Sequence, residues 1–162
     1  QKMLSELMPY VDICFGNARD AAKCLGYAEK DKNFIDGDYS ICVDEKHMEN
    51  VRERYGFTNL ITTLRKSISA SDNGWSGAVC SESGLYQGSG YNLHIVDRVG
   101  GGDSFAAGFL HGILTHMEPD RALEFALAAA AIKHTIPGDL NYISEEEVLT
   151  LMNSDGSGRV NR

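Results

Sequence analysis

The stretch "DRVGGGDSF", residues 97–105, joins an extended segment, "YNLHIV" (91–96), to an apolar helical pattern, "FAAGFLHGIL" (105–114). Glycines at 100, 101 and 102 clear every side chain from the junction, so the turn can adopt positive φ and a ligand can approach the backbone closely. Their N–H groups, with those of the first helical turn, lack helical partners and lie at the positive end of the helix dipole. That arrangement favours a phosphate. Asp103 then has two readings, an N-cap for the helix or a carboxylate set beside a bound anion. Other motifs are excluded by spacing. No lysine stands near Gly100 where a P-loop needs one, and Phe105 occupies the place of the third glycine of a dinucleotide fingerprint. Ala106 breaks the G-x-S-x-G nucleophile elbow, which leaves Ser104 as a helix-start residue.

Outward from this junction, strand-like and helix-like segments alternate. An amphipathic helix (Met3, Leu4, Leu7, Met8) ends near Pro9, and "YVDICFG" (10–16) reads as a strand closed by Gly16. Residues 19–25 read as a helix stopped by Gly26, and 29–38 as a long polar loop. "DEKHMENVRERYG" (44–56) reads as a helix ending at Gly56, and "NLITTLRK" (59–66) as a strand. Residues 74–97 read as antiparallel strands joined at "SESG" (81–84), with a long helix from Ser104. Pro119 opens the next helix from its first turn, and Ser144 and Glu147 have capping-box spacing for the last. The alternation predicts an α/β sheet covered by helices, with ligands beyond the carboxyl ends of its strands.

Composition narrows the function. The 162 residues have the size of one domain, with 43% hydrophobic and 23% charged residues. No apolar run approaches the ~20 residues of a membrane span, and no signal peptide is visible, so a cytoplasmic, non-membrane protein is expected. The net charge of -8, with scattered lysines and arginines, argues against nucleic acid. Cys14, Cys24, Cys42 and Cys80 form no CxxC pair and read as reduced, mostly buried thiols. The histidines form no HExxH, so no metal cage of protein side chains alone is expected. The chain opens without Met inside a helical pattern, which predicts further polypeptide upstream.

"DRVGGGDSFAAGF" resembles the D-T-x-G-A-G-D-x-F signature of the ribokinase-like carbohydrate kinases, with Arg98 for the usual Thr and Gly101 for the usual Ala. The resemblance implies that Asp103 is the catalytic base and that the N–H groups of Gly100, Gly101 and Gly102 form an anion hole. "VDICFGNARDAAKCLG" (11–26) is similar to the family's Asn-x-x-Glu segment, which carries a nucleotide role onto Asn17 and a water-mediated magnesium contact onto Asp20. "SASDNGWSGAV" (69–79) resembles the nucleotide segment K-x-G-x-x-G-A without its Lys and first Gly. Gly74 transfers from it, with Ser71 and Asp72 facing the nucleotide. "FALAAAAIKHT" (125–135) is similar to the family's alanine-rich helix below the adenine. Residues 63–75 and the ending from 134 are most similar to 2-keto-3-deoxygluconate kinases, which places Asp139 at the sugar acid.

The family implies a three-layer α/β/α ribokinase-like fold, of which residues 1–162 match the C-terminal portion of the sheet with its flanking helices. This is the nucleotide-binding and catalytic half, and the sugar-binding half and lid would lie upstream, leaving 1–162 inactive alone. ATP and Mg²⁺ are the implied cofactors. The implied partners are a sugar acid, the N-terminal half and a further copy in a homo-oligomer. A ribose- or fructose-type kinase and a non-catalytic nucleotide-binding module are the alternatives.

Overall fold

The computed structural model describes residues 1–16, 20–26 and 43–154. The expected loop at 29–38, Asn17, Cys42 and the tail from 155 lie outside the described residues. The chain forms two compact units, residues 1–66 with 77–87, and residues 67–76 with 88–162. Among the described residues, Ile13–Phe15 (β1), Asn59–Ser67 (β2), Asp72–Ser81 (β3), Gly84–Gln87 (β4) and Tyr91–His94 (β5) form a five-stranded sheet in the order β1-β2-β3-β4, with β5 pairing β3.

In the first unit, helix α1 (Lys2–Leu7) gives way to a 3-10 turn at Met8–Tyr10 that contains Pro9. Its apolar stripe is largely exposed, and only Met8 packs against the unit's core. Strand β1 (Ile13–Phe15) runs parallel to β2 (Asn59–Ser67), with Cys14 opposite Leu60. A π-helical turn, Ala21–Leu25, replaces most of the helix expected at 19–25, and Gly26 follows at φ +71°. Helix α2 (Glu45–Tyr55) starts where Asp44 accepts the His47 N–H and stops where Gly56 takes φ +75°. Short polar side chains satisfy first-turn N–H groups, and glycine enters the left-handed region without a Cβ penalty, which fixes both ends from local sequence. Met48 and Val51 of α2 pack with Phe57, Leu60, Ala78 and Cys80. Of the cysteines expected to be mostly buried, Cys80 is buried, Cys14 half-buried and Cys24 exposed, all of them free thiols.

Strand β3 (Asp72–Ser81) runs through both units. Its second half pairs antiparallel with β4 (Gly84–Gln87), Ser81 opposite Gly84, as expected for a hairpin at 81–84. Its first half pairs antiparallel with β5 (Tyr91–His94), Asp72 opposite His94 and Trp75 opposite Tyr91.

The second unit continues with helix α3 (Gly101–Leu114), α4 (Pro119–Lys133) and α5 (Glu145–Met152). Helices α3 and α4 meet through small residues. A Cβ on Gly108 would stand 2.9 Å from Ala126 Cα, and one on Gly112 would stand 2.7 Å from Ala122 Cβ. The alanines of α4 are therefore a packing surface, and Ala122, Ala126 and Ala128 to Ala131 are all buried. Phe125, Ala128 and Ala129 pack with Val148 of α5. Helix α5 begins at the expected capping box, in which Ser144 and Glu147 bond reciprocally. Among the described residues, no helix is long and apolar enough to cross a membrane.

Candidate active site

Helix α3 starts three residues earlier than its sequence predicts. Gly100, at φ +76°, is the N-cap, and Gly101, Gly102 and Asp103 form the first turn. Asp103 is thus the third helical residue, beyond the N-cap, which removes its N-cap reading. Glycine disfavours helix by about 1 kcal/mol relative to Ala, so local propensity alone predicts a later start. The surroundings override it. A Cβ on Gly100 would stand 2.6 Å from the carbonyl oxygen of Asp139, and one on Gly101 would stand 2.7 Å from the ring of His134. The rear of the turn is closed so tightly that no side chain fits there. This accounts for the departure at Gly101, since the imidazole of His134 fills the space of the usual alanine methyl.

The front of the same turn is open. A Cβ on Gly102 would meet nothing within 4 Å, and Gly102 and Asp103 are both exposed. Positive φ is confined to Gly100, so Gly102 serves by its smallness and not by its backbone freedom. Gly101 donates a long bond of 3.4 Å to the Arg98 carbonyl, and Ser104 donates to the Gly100 carbonyl at 2.8 Å. Among the described residues, the N–H groups of Gly100, Gly102 and Asp103 have no backbone partner. Open N–H groups beside an exposed carboxylate can receive an anion and hold a proton acceptor next to it.

Three neighbouring segments hold the turn. Asp97 accepts the Val99 N–H at 3.0 Å through Oδ1 and the Gly138 N–H at 2.8 Å through Oδ2. Those bonds, from Val99 first and then Gly138, hold its carboxyl below the usual carboxylate range. Arg98 donates from Nη2 to the Ala70 carbonyl at 3.0 Å, so the residue in place of the usual Thr ties the glycine turn to the 69–72 turn. Asn141 donates from Nδ2 to the buried Ser104 hydroxyl at 2.7 Å.

The expected nucleotide residues lie on that tied turn. Ser71 is exposed, and its carbonyl accepts the Ile95 N–H at 2.7 Å. Asp72 accepts from Ser69 Oγ at 2.6 Å and contacts His94 Nδ1 at 2.8 Å. The Ser69 bond, then His94, holds its carboxyl below the usual range. Both of its oxygens are already engaged. Gly74 sits within β3, half-buried and opposite Asn92. Asp139 is exposed and abuts Gly100 with both its carbonyl and its carboxylate, the latter 3.1 Å from the Cβ position. Gly100 to Asp103, Ser71, Asp72, Gly74 and Asp139 thus belong to one unit, and Asp20 is exposed in the other.

Sequence reasoning gave no role to Asp97, Lys133, His134 or Asn141. Asp97 opens the glycine-rich motif itself, and Lys133 is the charge that interrupts "FALAAAAIKHT". A lone lysine at the end of an apolar helix was the available signal.

Residues 1–145 match the pfkB family of carbohydrate kinases. The chain is 26% identical over 153 residues to a 2-dehydro-3-deoxygalactonokinase of Haloferax volcanii, covering 94% of this chain and 41% of that protein. The crystal structure of a 2-dehydro-3-deoxygluconokinase from Thermotoga maritima superposes with a TM-score of 0.83 at 38% identity, covering 95% of this chain and 45% of that one. A ribokinase of Arabidopsis thaliana complexed with ribose and ATP superposes at 0.65 with 20% identity, over 93% of this chain and 43% of that one, a likeness of fold. The chain spans less than half the length of these relatives. With these likenesses the expected ribokinase-like α/β fold is shown, and the chain belongs to the pfkB family of carbohydrate kinases.

Proposed function

We propose that this chain carries the nucleotide and base side of a kinase that transfers the γ-phosphoryl group of ATP to a hydroxyl of a sugar acid, 2-keto-3-deoxygluconate, giving its 6-phosphate. One observation carries the proposal: Asp103 stands exposed in the first turn of α3, beside the open N–H groups of Gly102 and its own backbone, with clear space over Gly102. In an in-line transfer, Asp103 accepts the hydroxyl proton as the oxygen–phosphorus bond forms and ADP leaves. The N–H groups of the 100–103 turn meet the charge on the phosphoryl oxygens.

The relatives' names support the substrate class, since both act on keto-deoxy sugar acids. The galactonate epimer is the second candidate for the same reason. Asp139, packed against Gly100, is the residue assigned to the acid, and Ser71, Asp72, Gly74 and Asn17 are assigned to the nucleotide. Magnesium would arrive as the Mg–ATP complex, held by phosphate oxygens and water, and a Cβ placed on Gly102 meets nothing that would obstruct that approach. Asp20 is assigned to one such water. The ion would neutralise charge on the β- and γ-phosphates. Kinase activity of this class requires no membrane and no nucleic acid, and a homo-oligomer and a cytoplasmic setting belong to the same proposal.

The test is ATP-dependent phosphorylation by the protein of 2-keto-3-deoxygluconate, its galactonate epimer, ribose and fructose. Turnover of a keto-deoxy acid at least tenfold above ribose and fructose supports the assignment. Turnover of ribose or fructose alone keeps the family and overturns the substrate. Nucleotide binding with no turnover of any sugar favours the non-catalytic module.

A further inference from the structure

Lys133, the last residue of α4, is fully buried. A buried ammonium is costly unless it is well partnered. Its Nζ donates to the carbonyls of Gly138 at 2.7 Å and Ile136 at 3.2 Å. Gly138, at φ +82°, also donates its N–H to Asp97 at 2.8 Å. One residue therefore links the ammonium to a carboxylate. The other oxygen of that carboxylate holds the N–H of Val99, the residue before Gly100. From the opposite direction, Lys133 Cε lies 3.2 Å from the point where a Cβ on Gly100 would stand, and Asp139, next to Gly138, lies against the same point. Every route from the ammonium leads to the back of the glycine turn.

We propose that Lys133 is a positioning residue for phosphoryl transfer, its ammonium clasping the 136–138 carbonyls so that the N–H groups of Gly100 to Asp103 stay set for a phosphate. The proposal rests on the kinase reading of that turn. A lysine kept only to fill space would need no charge, because an apolar side chain of similar length packs as well and avoids desolvation. Two carbonyls converge on one Nζ, and without it both lose the donor that holds them behind the turn. The turn then relaxes. The fixed charge behind the turn also acts through a poorly screened interior, where it attracts an incoming phosphate more strongly than a surface lysine would.

The test uses Lys133→Met and Lys133→Ala in the protein, reading the backbone ¹H–¹⁵N signals of residues 100–103 and steady-state kinetics with ATP and the keto-deoxy acid. In Lys133→Met the signals move and kcat falls tenfold or more, with KM for the sugar acid within twofold. Lys133→Ala behaves alike, and ammonium chloride restores both signals and rate with a saturating dependence that sodium chloride at equal ionic strength does not give. Should Lys133→Met fail to fold, Lys133→Ala refolded with and without ammonium gives the same readout. Signals at 100–103 that stay in place in a folded variant overturn the proposal, and so does a rate loss that ammonium leaves untouched. If the wild-type protein phosphorylates no sugar while the signals still answer to Lys133 and ammonium, the kinase reading fails and the positioning of the turn stands.

Discussion

Gly101 and Gly102 are adjacent glycines in one helical turn with opposite surroundings. Behind Gly101 stands the ring of His134, at 2.7 Å from a Cβ that is not there, whereas a Cβ on Gly102 would meet nothing within 4 Å. The closed rear fixes the backbone, and the open front leaves room for a ligand. A turn that binds an anion needs both properties, because N–H groups are effective only when already oriented. A glycine in such a motif therefore has two distinct uses, and only the packing around it shows which applies.

The largest expected effect lies at the front. Asp103→Asn keeps the shape and removes the proton acceptor, so kcat should fall by about 10² to 10⁴. ATP affinity should stay within a few-fold, and the melting temperature should hold. Steady-state kinetics with calorimetric ATP titration check this, and kcat within twofold of wild type would remove Asp103 from the chemistry.

Alanine placed at the two glycines sharpens the contrast. At Gly101 the new methyl collides with the His134 ring, and overpacking of this kind costs about 1–3 kcal/mol. At Gly102 the methyl meets open space on a helical residue, where Gly→Ala commonly stabilises by about 0.5–1 kcal/mol. Urea unfolding should show opposite signs for Gly101→Ala and Gly102→Ala. Equal destabilisation at both would mean that the front is not open. Gly102→Val, by contrast, should fold and lose ATP affinity, since the branched side chain occupies the space left for phosphate.

Much of this arrangement was legible from short-range chemistry. Asp44 and Gly56 bracket α2, Pro119 opens α4, and Ser144 with Glu147 opens α5, because caps and turns are decided by neighbouring residues. The start of α3 was not legible. Three glycines predict a turn, and helix begins among them only because His134 and Asp139, 33 and more residues away in sequence, wedge the backbone. Lys133 escaped for a similar reason. Lysines are almost never fully buried unless paired, and its partners are carbonyls of the turn that follows, which no residue type announces. Arg98 stands for the usual Thr, and no local pattern announces that its side chain ties the glycine turn to the 69–72 turn.

The smallest effect concerns acid stability at the rear. The carboxyl of Asp97 is lowered by its hydrogen bonds to Val99 and Gly138. A lowered carboxyl stabilises the fold above its unfolded value, about 3.9 for Asp, and that contribution is lost as pH falls through the folded value. Wild type should therefore exceed Asp97→Asn in melting temperature at pH 6, and the gap should close below about pH 4. A gap independent of pH between 6 and 3 would assign it to geometry and not to charge.

The central claim is that phosphate is received at the open front of the 100–103 turn, next to Asp103. The structure of the protein with a non-hydrolysable ATP analogue and magnesium tests it most directly. The γ-phosphate oxygens should lie within hydrogen-bond distance of the N–H groups of Gly102 and Asp103, with His134 still packed behind Gly101. A γ-phosphate seated away from that turn, with Gly102 and Asp103 still facing solvent, would contradict it.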